Sequence, residues 1–269
     1  MHPVIGIPRL IAATSVLCLC LVAPISQAET YTLGIQPIMP KSETKTFYRP
    51  LVDYLGEQTG HQFQIVAHHN FVAYWEAMRR KPTDLVLDPP HFTGYRIRQA
   101  NYQVLAKIQD TLSFSLVTNE DLLLFEADEL IGKRIVTPAS PSLSGVELAR
   151  MFPNQMRQPN IVSEPNFEEA LQRLKDGRAE AALIPTPMIS GDSTVNTVTT
   201  TEPVPHLAVS ASSDLPSEVR QQIRQALLTA HESEAGQAML ENVNISGFEA
   251  ADNELYAPYA ALLEGVWGY

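Results

Sequence analysis

Asp84-Leu85-Val86-Leu87-Asp88-Pro89-Pro90 is the stretch on which the fold turns. An apolar centre, entered after Pro82 and stopped by a charge and two prolines, reads as a short strand buried on both faces. Just upstream, Asn70 can cap a helix carrying Phe71, Tyr74, Trp75 and Met78, and Gln62 to Ala67 is predicted as a strand before it. Phe47, Leu51, Tyr54 and Leu55 recur at helical spacing, with Ser42 as cap and Gly56 or Gly60 near the end. Tyr31 to Gln36 forms the first strand and runs into Pro37-Ile38-Met39-Pro40, which cannot be helical. Strand, helix, strand, helix, strand implies a sheet covered on both faces.

Downstream, Gln103 to Ile108 and Leu112 to Thr118 are predicted strands, the second leaving this first unit. The pattern restarts at Gly132-Lys133-Arg134-Ile135-Val136, a strand followed by the loop Thr137 to Pro141 and a helix opened by Ser142. Ile161-Val162 is the next strand, Asn166 caps a helix with Phe167, Ala170, Leu171 and Leu174 on one face, and Ala181 to Ile184 closes the round. The remainder is predicted helical, with Val219, Ile223, Ala226, Leu227 and Ala230 as a stripe behind Pro216. A helix with one apolar face cannot stand alone, so this segment is docked back on the first unit. The expectation is therefore two α/β lobes of mostly parallel sheets: residues 29–115 with 206–269, and residues 116–205, joined by two connections. Ligands of open α/β sheets sit beyond the carboxyl ends of the strands, so two facing sheets enclose a cleft there.

Residues 1–28 read as a cleavable export signal: Arg9, an apolar run from Leu10 to Pro24, and Ser26-Gln27-Ala28 as a small-residue cleavage site before Glu29. The expected location is the periplasm. Cleavage would leave 241 of 269 residues, move the formal charge from −11 to −12, and remove Cys18 and Cys20, the only cysteines. A chain without thiols can form neither a disulfide nor a cysteine-ligated metal site. Its acidity disfavours a nucleic-acid partner and adhesion to anionic membranes.

No catalytic constellation is visible: Ser144-Gly145 lacks the Gly-x-Ser-x-Gly elbow, and there is no His-Glu-x-x-His and no Gly-rich phosphate loop. His68, His69, His91 and Asp88 contain zinc-type ligands, but adjacent His68 and His69 point to opposite sides of an extended chain. No metal and no cofactor are expected. Ser142, Ser144 and the amide of Gly145 open a helix, where free N–H groups, hydroxyls and the dipole suit an anion; Ser142 capping its own helix is the competing reading.

Read together, Tyr48-Arg49-Pro50-Leu51-Val52-Asp53-Tyr54-Leu55, the Asn70-Phe71 helix, Asp84 to Leu87, Leu130 to Val136, Ser142-Leu143-Ser144-Gly145, Asp176 to Ala182 and Ser213-Asp214-Leu215-Pro216 carry a likeness. In their order and spacing the chain resembles the phosphate, phosphite and phosphonate-binding (PhnD-like) periplasmic substrate-binding proteins of ABC importers. The resemblance implies a two-lobed, type II-like fold with a two-strand hinge and no enzymatic activity. It implies a monomer that hands a small anionic solute, phosphonate-like or drifted from it, to a membrane permease. A periplasmic sensory module reporting to a membrane signalling protein is the alternative, and a secreted hydrolase using Ser144 a third. The ligand residues it points to are Ser142, Leu143, Ser144, Gly145, Phe71, Asp88, His91 and Phe92. Four departures stand out: Leu143 replaces a hydroxyl in the anion loop, Phe71 a ligand-reaching Tyr, Phe167 a His, and Pro187 falls near an acidic position. Each lost hydrogen bond to a buried charged ligand costs on the order of 1.5–3 kcal/mol, so the ligand is expected to have drifted from aminoalkylphosphonates.

Overall fold

The computed structural model describes residues 1–2, 28–80 and 82–266. Residues 3–27, which hold most of the expected leader with Cys18 and Cys20, lie outside the described residues. No helix among the described residues is long and apolar enough to cross a membrane.

The chain begins β1 (Thr30–Ile35), α1 (Lys41–Phe47), α2 (Arg49–Thr59), β2 (Gln62–Ala67), α3 (Phe71–Arg80), β3 (Leu85–Asp88), α4 (Pro90–Ala100) and β4 (Tyr102–Ile108). It continues with β5 (Thr111–Leu112), β6 (Phe114–Asn119), β7 (Arg134–Pro138), α5 (Leu143–Met151), β8 (Asn160–Glu164), α6 (Phe167–Lys175), β9 (Ala181–Pro185) and β10 (Val195–Thr200). The return consists of β11 (Val204–Pro205), β12 (Ala208–Ser212), α7 (Ser217–Leu228), α8 (Glu234–Asn242), β13 (Phe248–Glu249) and α9 (Asn253–Tyr256), then a 3₁₀ segment, Ala257–Leu263.

Two sheets result, in the strand orders β13-β4-β12-β3-β1-β2 and β10-β6-β9-β7-β8. Between them the two connections lie side by side, β5 pairing antiparallel with β11 through Leu112 and Val204. Both sheets are mixed rather than mostly parallel. β1 is parallel to β2 and β3, and β7 to β8 and β9, but β12 is antiparallel to β3 and β4, and β6 to β9 and β10. The reason is connectivity: β6 and β12 cross between the sheets and enter each against the direction of strands laid down by strand–helix–strand units.

The first core gathers Leu33, Ile35, Leu85 and Leu87 from the strands with Leu51, Leu55, Ile223 and Leu227 from α2 and α7. The second joins Leu116, Val136, Leu183, Leu148 and Leu174 to Phe71, Trp75 and Phe92 from α3 and α4. Each such side chain contributes about 1.5–3 kcal/mol by leaving water. The end of α9 and the 3₁₀ segment after it pack so closely on α4 that a Cβ on Gly94 would lie 2.6 Å from Ala260 N and Tyr256 O.

Three local expectations are corrected. The first helical stretch is two helices broken at Tyr48, because Pro50 brings no N–H and its ring crowds the carbonyl four residues back. Its start is Pro40, with no side-chain cap from Ser42. Pro89-Pro90 is not merely a stop: Pro90 opens α4, the first-turn position where a missing N–H costs nothing. The C-terminal part is not all helical, since β12 lies at the centre of the first sheet.

Candidate ligand-binding cleft

The loops that follow the strands meet between the sheets and line a half-open cavity of about 190 Å³. Gln36 comes from the end of β1, Phe71 from the start of α3 after β2, and Leu143 and Phe167 from the helix starts after β7 and β8. Pro185 ends β9 and Pro187 follows it, while Leu112 and His206 belong to the crossing segments. The cavity thus sits at the carboxyl ends of strands from both sheets and against the paired connections. A second cavity, also about 190 Å³, lies beside Asn70, Ala139, Ser163 and Glu164, and Phe71 lines both.

Contacts across the cleft hold the sheets together. Phe71 meets Phe167 edge to face at 6.0 Å between centroids, and Phe167 N donates to Ile38 O at 3.3 Å. His91 Nε2 lies 2.8 Å from the Pro141 carbonyl.

The eight residues singled out in the sequence divide sharply. Phe71 and Leu143 line the cavity. Ser142 and Ser144 are fully buried and engaged internally. Ser142 Oγ donates to Pro138 O at 2.6 Å and accepts from Gly145 N at 3.0 Å, so the Gly145 amide serves the cap of its own helix. Ser144 Oγ lies 2.8 Å from Thr137 Oγ1, which also reaches the Leu183 carbonyl at 2.8 Å. A side chain at Gly145 would strike Ser140 N at 2.5 Å, which is why the loop can fold so tightly.

Asp88 is buried in an ion pair with Arg96 at 2.6 Å and accepts a hydrogen bond from the Tyr74 hydroxyl. Burial pushes its carboxyl up, with Arg96 and Tyr74 opposing. Burial alone would lower Arg96, but the Asp88 charge, aided by Tyr74 and Tyr102, raises it overall. Phe92 is stacked in the core between His91 and Trp75. Among the described residues no group of three or more His, Cys, Asp or Glu is placed to hold a metal ion.

Besides exposed Asn244, three polar wall residues escaped the sequence reading. Gln36, 6% exposed, and Tyr48, 4% exposed, both line the cavity, and neither side chain has a hydrogen-bond partner among the described residues. His206 accepts from Leu207 N through Nδ1 at 2.8 Å, leaving its proton on Nε2. Burial, with Lys107 nearby, pushes its pKa down to about 4, so it is neutral at neutral pH. No spacing joins residues 36, 48 and 206; only the fold does.

The family model described as ABC transporter, phosphonate, periplasmic substrate-binding protein matches residues 33–256. The chain belongs to this phosphonate-binding family. No curated protein matches it in sequence. Among solved structures, the fold is similar to PhnD1 from Prochlorococcus marinus in complex with methylphosphonate, with a TM-score of 0.77, 14% identity, and coverage of 88% of this chain and 98% of that one. A binding protein component of an ABC phosphonate transporter from Pseudomonas aeruginosa gives a TM-score of 0.74, 13% identity, and coverage of 88% and 86%. A Xanthomonas citri protein bound to ATP gives 0.69, 14%, and coverage of 88% and 98%. Phe71, Leu143, Phe167 and Pro187, the four positions where the sequence reading expects this member of the phosphonate-binding family to depart from the family pattern, all line the cavity.

Proposed function

We propose that the mature protein is a non-enzymatic, monomeric carrier, exported by cleavage after Ala28, that holds a small solute between two lobes and delivers it to an ABC permease. The lobes are residues 29–115 with 206–269 and residues 116–205. The observation that carries this reading is the cavity at the carboxyl ends of strands from both sheets, beside the paired β5 and β11. Two antiparallel connections beside a cleft suit hinge closure around a ligand. The proposed wall is Phe71, Leu143, Phe167, Gln36, Tyr48 and His206. Ser142, Ser144, Gly145, Asp88, His91 and Phe92 support it from behind by fixing the loop and the helix starts. Membership in an importer family favours transport over a sensory role.

The test is thermal stability in the presence of a small-molecule extract of culture medium. A ligand at 100 times its dissociation constant stabilises by about 2.7 kcal/mol. The melting temperature should rise, and Met188→Trp, which fills the wall at a partly exposed position, should abolish the rise. A flat response across extract fractions would overturn the carrier reading, and a mature N-terminus other than Glu29 would overturn the export site.

A further inference from the structure

The cavity provides for negative charge and makes no provision for positive charge. Three helices begin on its wall, α3 at Phe71, α5 at Leu143 and α6 at Phe167, and their N-terminal dipole ends favour an anion. The cap side chains take one amide each, Asn70 from Ala73 and Ser142 from Gly145. The other first-turn amides of α3 and α5 have no acceptor inside their helices.

Buried side chains add further donors. Tyr48, 4% exposed, and Gln36, 6% exposed, line the cavity without a hydrogen-bond partner among the described residues, although buried hydroxyls and amides ordinarily find one. Burial alone acts on the Tyr48 hydroxyl and keeps its proton in place. His206 uses Nδ1 to accept from the Leu207 amide, so its proton stays on Nε2. An anionic head is thus met by neutral donors.

The wall has nothing comparable for a cation. Among the described residues lining the cavity there is no Asp or Glu, and Phe71, Phe114, Phe167 and Leu143 face it together with Pro185 and Pro187. An ammonium placed there would lose its water and meet no counter-charge. A methyl group in the same place gains by leaving water.

We infer that the cavity takes a phosphonate carrying a short hydrocarbon group and no ammonium, its head met by Tyr48, Gln36 and His206 and its hydrocarbon laid against Phe71, Phe167 and Leu143. This rests on the carrier reading and names the ligand subclass for the same site.

The experiment is calorimetric titration of the full mature protein with propylphosphonate and 2-aminoethylphosphonate, which share a shape and differ in a terminal methyl or ammonium. Methylphosphonate completes the series. Propylphosphonate should bind at least tenfold tighter than 2-aminoethylphosphonate, and tighter than methylphosphonate by about fourfold for each added methylene. Leu143→Ala should weaken propylphosphonate several-fold and methylphosphonate little. Tyr48→Phe should weaken both about tenfold while the melting temperature of the free protein stays unchanged. Binding of 2-aminoethylphosphonate as tight as propylphosphonate, no gain from methyl to propyl, undiminished propylphosphonate binding in Tyr48→Phe, or no binding of any phosphonate would each overturn the inference. If one of these results appears while medium extract still stabilises the protein and Met188→Trp abolishes that effect, the carrier reading stands and only the ligand subclass falls.

Discussion

His91 on α4 and Pro141 in the loop before α5 are joined across the cleft by a 2.8 Å hydrogen bond from Nε2 to the carbonyl oxygen. A carbonyl can only accept, so Nε2 carries the proton, and the buried Nδ1 has no partner in the structure. The imidazole is therefore neutral, and the bond ties one sheet's layer to the other.

Acid should loosen this tie. Burial, partly offset by the bond to Pro141, pushes His91 from 6.5 down to about 4. The unfolded chain takes up this proton first as pH falls, so the contribution is full above about pH 6.5 and is lost progressively down through pH 4, roughly 3 kcal/mol in all. Urea denaturation between pH 7.5 and 4.5 should show the slope. His91→Gln, which keeps a donor but does not titrate, should flatten it, leaving a share from His206, also held down to about 4.

Breaking the Asp88–Arg96 pair from one side should be severe, because both groups are buried. Arg96→Met leaves the carboxylate without its partner and should cost about 3–5 kcal/mol by equilibrium denaturation. Adding Asp88→Asn to that variant should recover part of the loss. A single Arg96→Met variant as stable as the parent would contradict the pairing.

The serine loop makes a contrasting prediction. Ser142→Ala removes a helix cap and should cost about 1 kcal/mol; Ser144→Ala removes a hydroxyl from the Thr137 network at a similar cost. Both should retain stabilisation by medium extract. Loss of that response with little change in melting would mean that the hydroxyls touch the ligand.

Gly94→Ala should destabilise by about 1–3 kcal/mol, since its Cβ would meet backbone of the C-terminal segment at 2.6 Å. Thermal melting measures this. Gly132→Ala is a poor control because that residue has positive φ; an exposed Ala on α8 such as Ala238 is better, and Ala238→Ser should change little.

Much of the architecture was legible in the sequence, and the reasons are local. Gln62 to Ala67 is a strand from its own composition, and the caps at Asn70, Ser142 and Asn166 all accept the amide three residues on. β12 was missed because Ala208-Val209-Ser210-Ala211-Ser212 is small and weakly patterned; its place is set by β3 and β4 on either side. α4 was missed because two prolines look alike whether they end a strand or begin a helix. At the cleft, Phe71 and Leu143 could be found because they alter a recognisable motif. Gln36, Tyr48 and His206 could not, since their meeting depends on a return of the chain some 170 residues later.

The central position of β12 also sets an order of events. Until residues 208–212 arrive, β4 has no neighbour linking it to β3, β1 and β2. Half of the first sheet must therefore wait while the whole intervening sheet is made, a long-range closure of the kind that slows folding. The lobe that starts the chain is the last to be completed, and any truncation before residue 208, which also removes β13, leaves the three strands β3-β1-β2 with an open edge and β4 as an unpaired strand.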